Sequence, residues 1–290
     1  MVEGIIIQGL IKGGTYALLA VGFSLIFGVA RMINLSHTCF YMLAAYGIYA
    51  FAKMLGMPLI AAAVLSLLAT TIIGILTYRL FIDRVREHHV TVMLITLALA
   101  MVFQEWMIIS FTSEPLGAPS FISGYWEIIG VKVSYQHLLT FGVALAVLIC
   151  VWALLSKTRL GVAIRATAQD SEIANLMGIN VRRILLVTMG MAAVLAAVAG
   201  IVVAPTLTLE PRMWTSPLVM IMAIVVLGGL GSVKGSFIGA FIIGFVEVLV
   251  VFLMPGGAFL KGAFALLVMV IILLVRPEGL FGIAFEEERL

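Results

Sequence analysis

The chain has 290 residues, of which 63% are hydrophobic and only 11% charged, and its mean hydropathy is +1.24. A soluble domain carries about 25% charged residues, so this composition excludes a water-soluble globular protein and specifies one that dissolves in lipid. The net charge of +3 is modest, and the placement of the charges says more than their sum.

Crossing a hydrocarbon core of about 30 Å takes roughly 20 helical residues. In chain order, apolar runs of suitable length lie near 5–29, 38–55, 58–79, 91–112, 138–156, 184–204, 215–230, 236–253 and 262–276. The runs are continuous and lack the alternation of a β-barrel strand, so helices are expected. The expected fold is all-α: a polytopic transmembrane bundle of about 8–10 spans, forming one domain over 1–290. Pro205, Pro211 and Pro217 could mark a re-entrant segment within 205–230. The first apolar run is too long for a signal core and has no clear cleavage site, so it is expected to be retained.

Orientation follows lysine and arginine. With the 80–90 loop placed in the cytoplasm, Arg31, Arg79, Arg84, Arg86, Lys157, Arg159, Arg165, Arg182, Arg183, Lys234, Arg276 and Arg289 fall inside. Lys53, Lys132, Arg212 and Lys261 fall outside, and Lys12 lies within a span. The expectation is a multi-pass protein of the inner (plasma) membrane, with its N-terminus outside and its C-terminus cytoplasmic.

Small residues recur every four positions at Gly9, Gly13 and Ala17, at Ala192, Ala196, Gly200 and Ala204, and at Ser236, Ala240 and Gly244. Such stripes let helix backbones approach closely, so they predict packing within the bundle. Cys39 and Cys150 lie in or beside apolar segments without metal-ligand spacing and are read as small fillers. The four histidines show no HExxH pattern, and no metal or catalytic site is expected.

The longest markedly polar run, within 157–183, reads as one short capped helix. Asp170 is a suitable N-cap, Glu172 adds negative charge at the positive end of the helix dipole, and Gly178 suits the position after the helix. Asn180 can cap the next span. Ile173, Leu176 and Met177 form a small apolar face around Ala174. A two-turn helix is unstable alone, so it docks either on lipid headgroups, where Arg165 and its neighbours would meet anionic lipid, or into a groove on a cytoplasmic protein.

Ionisable groups inside spans are costly and point to function; Lys12, Glu105 and Glu247 qualify, with mutual pairing as the plainer reading. Asn34, Ser36 and His37 form a polar break between the first two spans, either an interfacial turn or a broken helix lining a pathway. Gly228, Gly229, Gly231 and Gly235 make a comparable break in the C-terminal half.

Four stretches together carry a family resemblance: "GGTYALLAVGFSLIFGVARMINLSH" at 13–37, "LGVAIRATAQD" at 160–170, "RATAQDSEIANLMGIN" at 165–180, and "VLGGLGSVKGSFIGAFIIG" at 226–244. They resemble the branched-chain amino-acid permease family of ABC importers, LivH-type subunits, over nearly the whole chain. Thr38 and Cys39 follow His37 where that family commonly has glycine. The resemblance implies a non-hydrolytic membrane subunit with a coupling loop at 157–183. It implies a homologous permease partner, two cytoplasmic ATPases and an external substrate-binding protein, with no nucleic-acid partner. No cofactor is expected on this chain: ATP would be used by the partner ATPases, and the sequence has no GxxxxGK[ST] phosphate loop. The resemblance also favours the pathway reading of the polar break. The competing reading is an ion-coupled secondary transporter of a small polar solute, with Glu105 or Glu247 as its ion site.

Overall fold

Helix ends in this chain fall where the backbone is capped, turned or crowded, and the apolar runs between them are helical. The structure is a computed structural model that describes residues 2–128 and 131–282. Its α-helices are α1 (Val2–Ala30), α2 (His37–Tyr49), α3 (Leu59–Thr77), α4 (His89–Phe111), α5 (Tyr135–Lys157), α6 (Arg159–Gln169), α7 (Ser171–Leu176), α8 (Val181–Val203), α9 (Thr215–Gly228), α10 (Val233–Leu253) and α11 (Gly257–Val275). Among the described residues, seven helical segments are long and apolar enough to cross a membrane: α1, α3, α4, α5, α8, α10 and α11. The two other expected spans are helical but short. A wide π-helical turn at Ala50–Met54 extends α2. The 14-residue α9 is about 21 Å long at 1.5 Å per residue, less than a hydrocarbon core.

The region before α9 is irregular, as its prolines suggested. A 3-10 turn (Ala204–Thr206) leads into β4 (Thr208–Leu209), which pairs antiparallel with β1 (Leu116–Gly117). The Trp214 indole donates to Gln104 Oε1 at 3.0 Å. Gln104 lies seven residues before the end of α4, so α9 begins about 10 Å below that end. Residues 204–214 therefore dip into the bundle before α9 runs on to the opposite end. A hairpin absent from the sequence reading, β2 (Tyr125–Ile128) with β3 (Val131–Ser134), precedes α5.

The small-residue stripes form internal seams. A Cβ built on Gly244 would meet the Gly13 backbone nitrogen at 2.7 Å, and one on Gly13 would meet the Phe241 side chain at 2.6 Å, so α1 and α10 touch through their backbones. A Cβ on Gly200 would collide with the Tyr41 carbonyl, which joins α8 to α2 in the same way. The core is built from α1, α2, α8 and α9, while α3, α4, α5 and α11 carry broad exposed apolar faces, for example Ile60, Leu94, Ile109, Trp152 and Leu274. This inversion, with apolar residues both inside and outside, is what lipid permits.

The ends of the helices group into two sets. At one end, Arg31 donates to the Ala168 carbonyl and Arg182 pairs with Asp83. At the other, Lys53 reaches the Gly117 carbonyl and Gln136 reaches the Val202 carbonyl.

Candidate functional site: the capped loop and the two end cavities

The polar loop holds two helices where the sequence suggested one. The first, α6, is capped by Thr158, whose Oγ1 accepts from Gly161 N at 3.1 Å. Gly161 is required there, because a Cβ would strike the Leu154 and Leu155 carbonyls at the end of α5. Arg165 is exposed on α6. Sequence reading missed this helix, although Leu160, Ala163, Ile164 and Ala168 fall at the spacing of one apolar helix face.

The second helix, α7, has the expected caps. Asp170 Oδ1 accepts from Glu172 N at 2.8 Å and from Ile173 N at 2.9 Å. At the other end Gly178 has φ +84°. Its N–H donates to the Asn175 carbonyl, and Ile179 N–H donates to the Ala174 carbonyl, both at 3.0 Å. That pair of bonds satisfies helix-end carbonyls through a left-handed residue. Asn180 Oδ1 then accepts from Arg183 N at 3.0 Å and starts α8. Ala174 is 4% exposed and anchors α7 to the protein, whereas Ile173, Leu176 and Met177 are 58%, 85% and 79% exposed. The apolar face thus splits: one small residue points in and three large ones point out.

A polar cavity of about 1020 Å³ lies beside α7, lined by Arg31, Arg86, Glu87, Asp170, Asn175 and Arg182 among others. Asp83 organises its rim. It receives Arg182 Nε at 2.8 Å, lies 3.9 Å from Arg86, and accepts from Tyr78 Oη at 3.4 Å. Asp83 went unremarked in the sequence because it sits in a charged loop that looked merely solvated.

The polar break is wholly enclosed. Asn34, Ser36 and His37 are each 0% exposed. Asn34 Oδ1 accepts from Ser36 N and Ser36 Oγ, and His37 Nε2 lies 3.1 Å from the Leu19 carbonyl. Among the described residues, Asn34 Nδ2 and His37 Nδ1 have no hydrogen-bond partner. The glycine break is a tight, close-packed turn. Gly229 and Gly231 have φ +98° and +82°, and a Cβ on Gly228 would strike Gly235. The carbonyls of Leu227 and Gly228 accept from Leu280 N at 2.8 Å and Phe281 N at 3.0 Å.

The intramembrane ions separate. Glu105 is exposed on α4 beside Trp106. Glu247 is 2% exposed and accepts from Tyr16 Oη at 2.9 and 3.0 Å through its two oxygens. Lys12 Nζ lies 3.9 Å from Glu247 Oε2 and 5.1 Å from the Tyr16 ring centre. The plainer expectation of mutual pairing therefore holds for Lys12 and Glu247. Tyr16 was missed, although its position one turn after Lys12 was the available signal. A second cavity of about 550 Å³ opens here, at the end away from α7, lined by Lys12, Tyr16, Lys132, His137 and Lys261 together with apolar side chains.

A multi-pass helix bundle with polar cavities at both ends, lying in and between lipid-compatible helices, defines a membrane transport subunit. The chain belongs to the family described as branched-chain amino acid transport system permease components, which matches residues 5–273. The high-affinity branched-chain amino acid transport system permease protein BraD of Pseudomonas aeruginosa is 30% identical, with 96% of this chain and 94% of that protein covered. The permease protein LivH of Escherichia coli K12 is 28% identical, with 95% and 94% covered. The ribose import permease protein RbsC of Escherichia coli K12 is 35% identical over only 108 residues, 35% of this chain and 34% of that protein. Among solved structures, a chain of PsaBC from Streptococcus pneumoniae in complex with Fab shares the fold, with a TM-score of 0.51, 15% identity, and 93% and 90% of the two chains covered.

Proposed function

We propose that this chain is the membrane-spanning subunit of an ATP-driven importer for branched-chain or related amino acids. The family match along nearly the whole chain supports this reading. The observation that carries the coupling role is α7: a helix of six residues, closed at both ends, whose large apolar residues project away from the bundle. Exposed Ile173, Leu176 and Met177 are costly in water and suited to a groove on a partner. The partners are two cytoplasmic ATPases that bind at 157–183, a homologous permease subunit, and an external binding protein that delivers the solute. ATP is bound and hydrolysed by the ATPases, and this chain carries no cofactor. The α7 end faces the cytoplasm, so the N-terminus is outside and the C-terminus inside.

In this mechanism ATP binding closes the ATPase pair, α6 and α7 move with it, and the restoring structure is the Asp83–Arg182 tie between the α3 end and α8. Arg165, Asp170, Glu172 and Gly178 shape the loop, and Ala174 transmits its displacement. Asn34, Ser36, His37, Gly228, Gly229, Gly231, Glu105 and Glu247 remain the pathway candidates; a buried amide donor at Asn34 and a buried ring acceptor at His37, both without partners, suit groups that are rehydrated when the pathway opens.

Reconstituting the chain with its ATPases, partner permease and binding protein in vesicles tests the reading. ATP-dependent leucine uptake is expected, and Ala174→Glu should abolish ATPase binding while leaving the chain inserted. Uptake by the chain alone under an ion gradient would instead establish secondary transport.

A further inference from the structure

The cavity at the end away from α7 has an uneven charge. Three lysines line it, Lys12, Lys132 and Lys261, along with His137, and among the described residues no acidic one is on its wall. Glu247 lies behind that wall with its side chain 3% exposed, and Tyr16 holds both of its oxygens. Lys12 is 3.9 Å from it, a loose pairing that leaves ammonium protons free to turn toward the cavity. The rest of the wall includes Leu19, Val203, Leu207, Met213 and Val248. A concentration of positive charge at the mouth of an apolar bundle is unfavourable until an anionic group enters it. The hydroxyls of Thr15, Ser134, Thr206 and Ser216 on the same wall can accept from an α-ammonium group, and the apolar side chains beside them accept a hydrocarbon side chain.

We propose that this cavity recognises the carboxylate of an apolar amino acid, with Lys12 as the contacting cation and the Tyr16–Glu247 pair as the positioning residues that fix Lys12. This deepens the permease reading and rests on it. Glu247 has a second effect besides orientation: its charge offsets that of Lys12 when the cavity is empty. Lys132 and Lys261 stand at the mouth, where they attract the anion before Lys12 receives it.

The test is thiol protection in the full chain in lipid nanodiscs. Thr206→Cys places a thiol on the cavity wall; Cys150→Ala removes the exposed native thiol, and Cys39 is buried. Labelling with anionic sulfonatoethyl methanethiosulfonate is followed with leucine or with leucinamide, which lacks the carboxylate. Leucine at ten times its dissociation constant is expected to slow labelling about tenfold, because roughly a tenth of the sites remain empty, and leucinamide is expected to leave the rate unchanged. Lys12→Met and Glu247→Gln should each reduce the preference for leucine over leucinamide by about tenfold, the worth of a charge-assisted hydrogen bond, while Lys12→Arg retains it. A general packing defect would weaken both compounds alike and leave the ratio intact. No protection by leucine, equal protection by leucinamide, or an unchanged ratio in Lys12→Met overturns the site. Import by the complete assembly without protection at Thr206→Cys overturns the site alone, whereas failure of the complete assembly to import overturns the permease reading beneath it.

Discussion

Replacing Asp170 with alanine removes the oxygen that holds both the Glu172 and the Ile173 amides at the start of α7. Loss of such a cap costs about 1 kcal/mol. In a long helix that would be absorbed, but α7 has six residues and no stability of its own. A change of about 1 kcal/mol shifts its folded population roughly fivefold. Gly178→Ala acts at the other end, where φ +84° penalises a Cβ by about 1 kcal/mol or more. If the two ends act independently, the double variant shifts the population roughly 25-fold. Hydrogen exchange of the full chain in nanodiscs reads this directly at the Met177, Gly178 and Ile179 amides, which are bonded within the α7 turn. Asp170→Asn keeps a capping oxygen and should exchange like the wild type. Leucine uptake by the complete assembly should fall in the same order as protection. Unchanged exchange in both single variants, or an Asp170→Asn variant as loose as Asp170→Ala, would show that packing through Ala174 and not the caps holds α7, and the reasoning would fail.

Other perturbations test separate parts of the structure. Gly244→Val should force α1 from α10 and destabilise the chain by about 1–3 kcal/mol, seen as a lower melting temperature in detergent, because its Cβ would lie 2.7 Å from Gly13 N. Arg182→Ala should cost about 1–3 kcal/mol by leaving the Asp83 carboxylate, whose side chain is 6% exposed, with a distant cation at 3.9 Å; adding Asp83→Asn should recover most of that loss in a double-mutant cycle. Trp214→Phe should remove the bond to Gln104 and destabilise by about 1 kcal/mol, with exchange rising at 207–215 and not in α6 or α7. A cysteine at Ser171 should be labelled only from the cytoplasmic side and one at Ser123 only from outside; the reverse pattern would invert the proposed orientation.

Much of this architecture was legible because lipid imposes a simple length rule. All nine apolar runs are helices, and the stripes at Gly13, Gly200 and Gly244 mark real backbone seams. The caps Asp170, Gly178 and Asn180 were readable because capping is local chemistry. What escaped was either tertiary or locally ambiguous. The short α9 and the dipping 204–214 segment depend on the Trp214–Gln104 contact across the fold. The Tyr16–Glu247 and Asp83–Arg182 pairs join residues 231 and 99 positions apart, which no spacing rule reaches. The polar break at Asn34–His37 left an interfacial turn and a pathway element open as readings, and only the folded chain shows it to be enclosed. Helix α6 was missed although Leu160, Ala163, Ile164 and Ala168 offered the helical spacing.

The carbonyls that end α9 receive their donors from Leu280 and Phe281, some fifty residues later in the chain. A polypeptide threaded into the bilayer from its beginning therefore reaches the α9–α10 bend long before the strip that seals it has been synthesised. Until then two backbone oxygens at the membrane boundary must be served by water or by the insertion machinery. Any truncation ahead of residue 280 would leave the nascent subunit with an unclosed seam at the α7 end of the bundle.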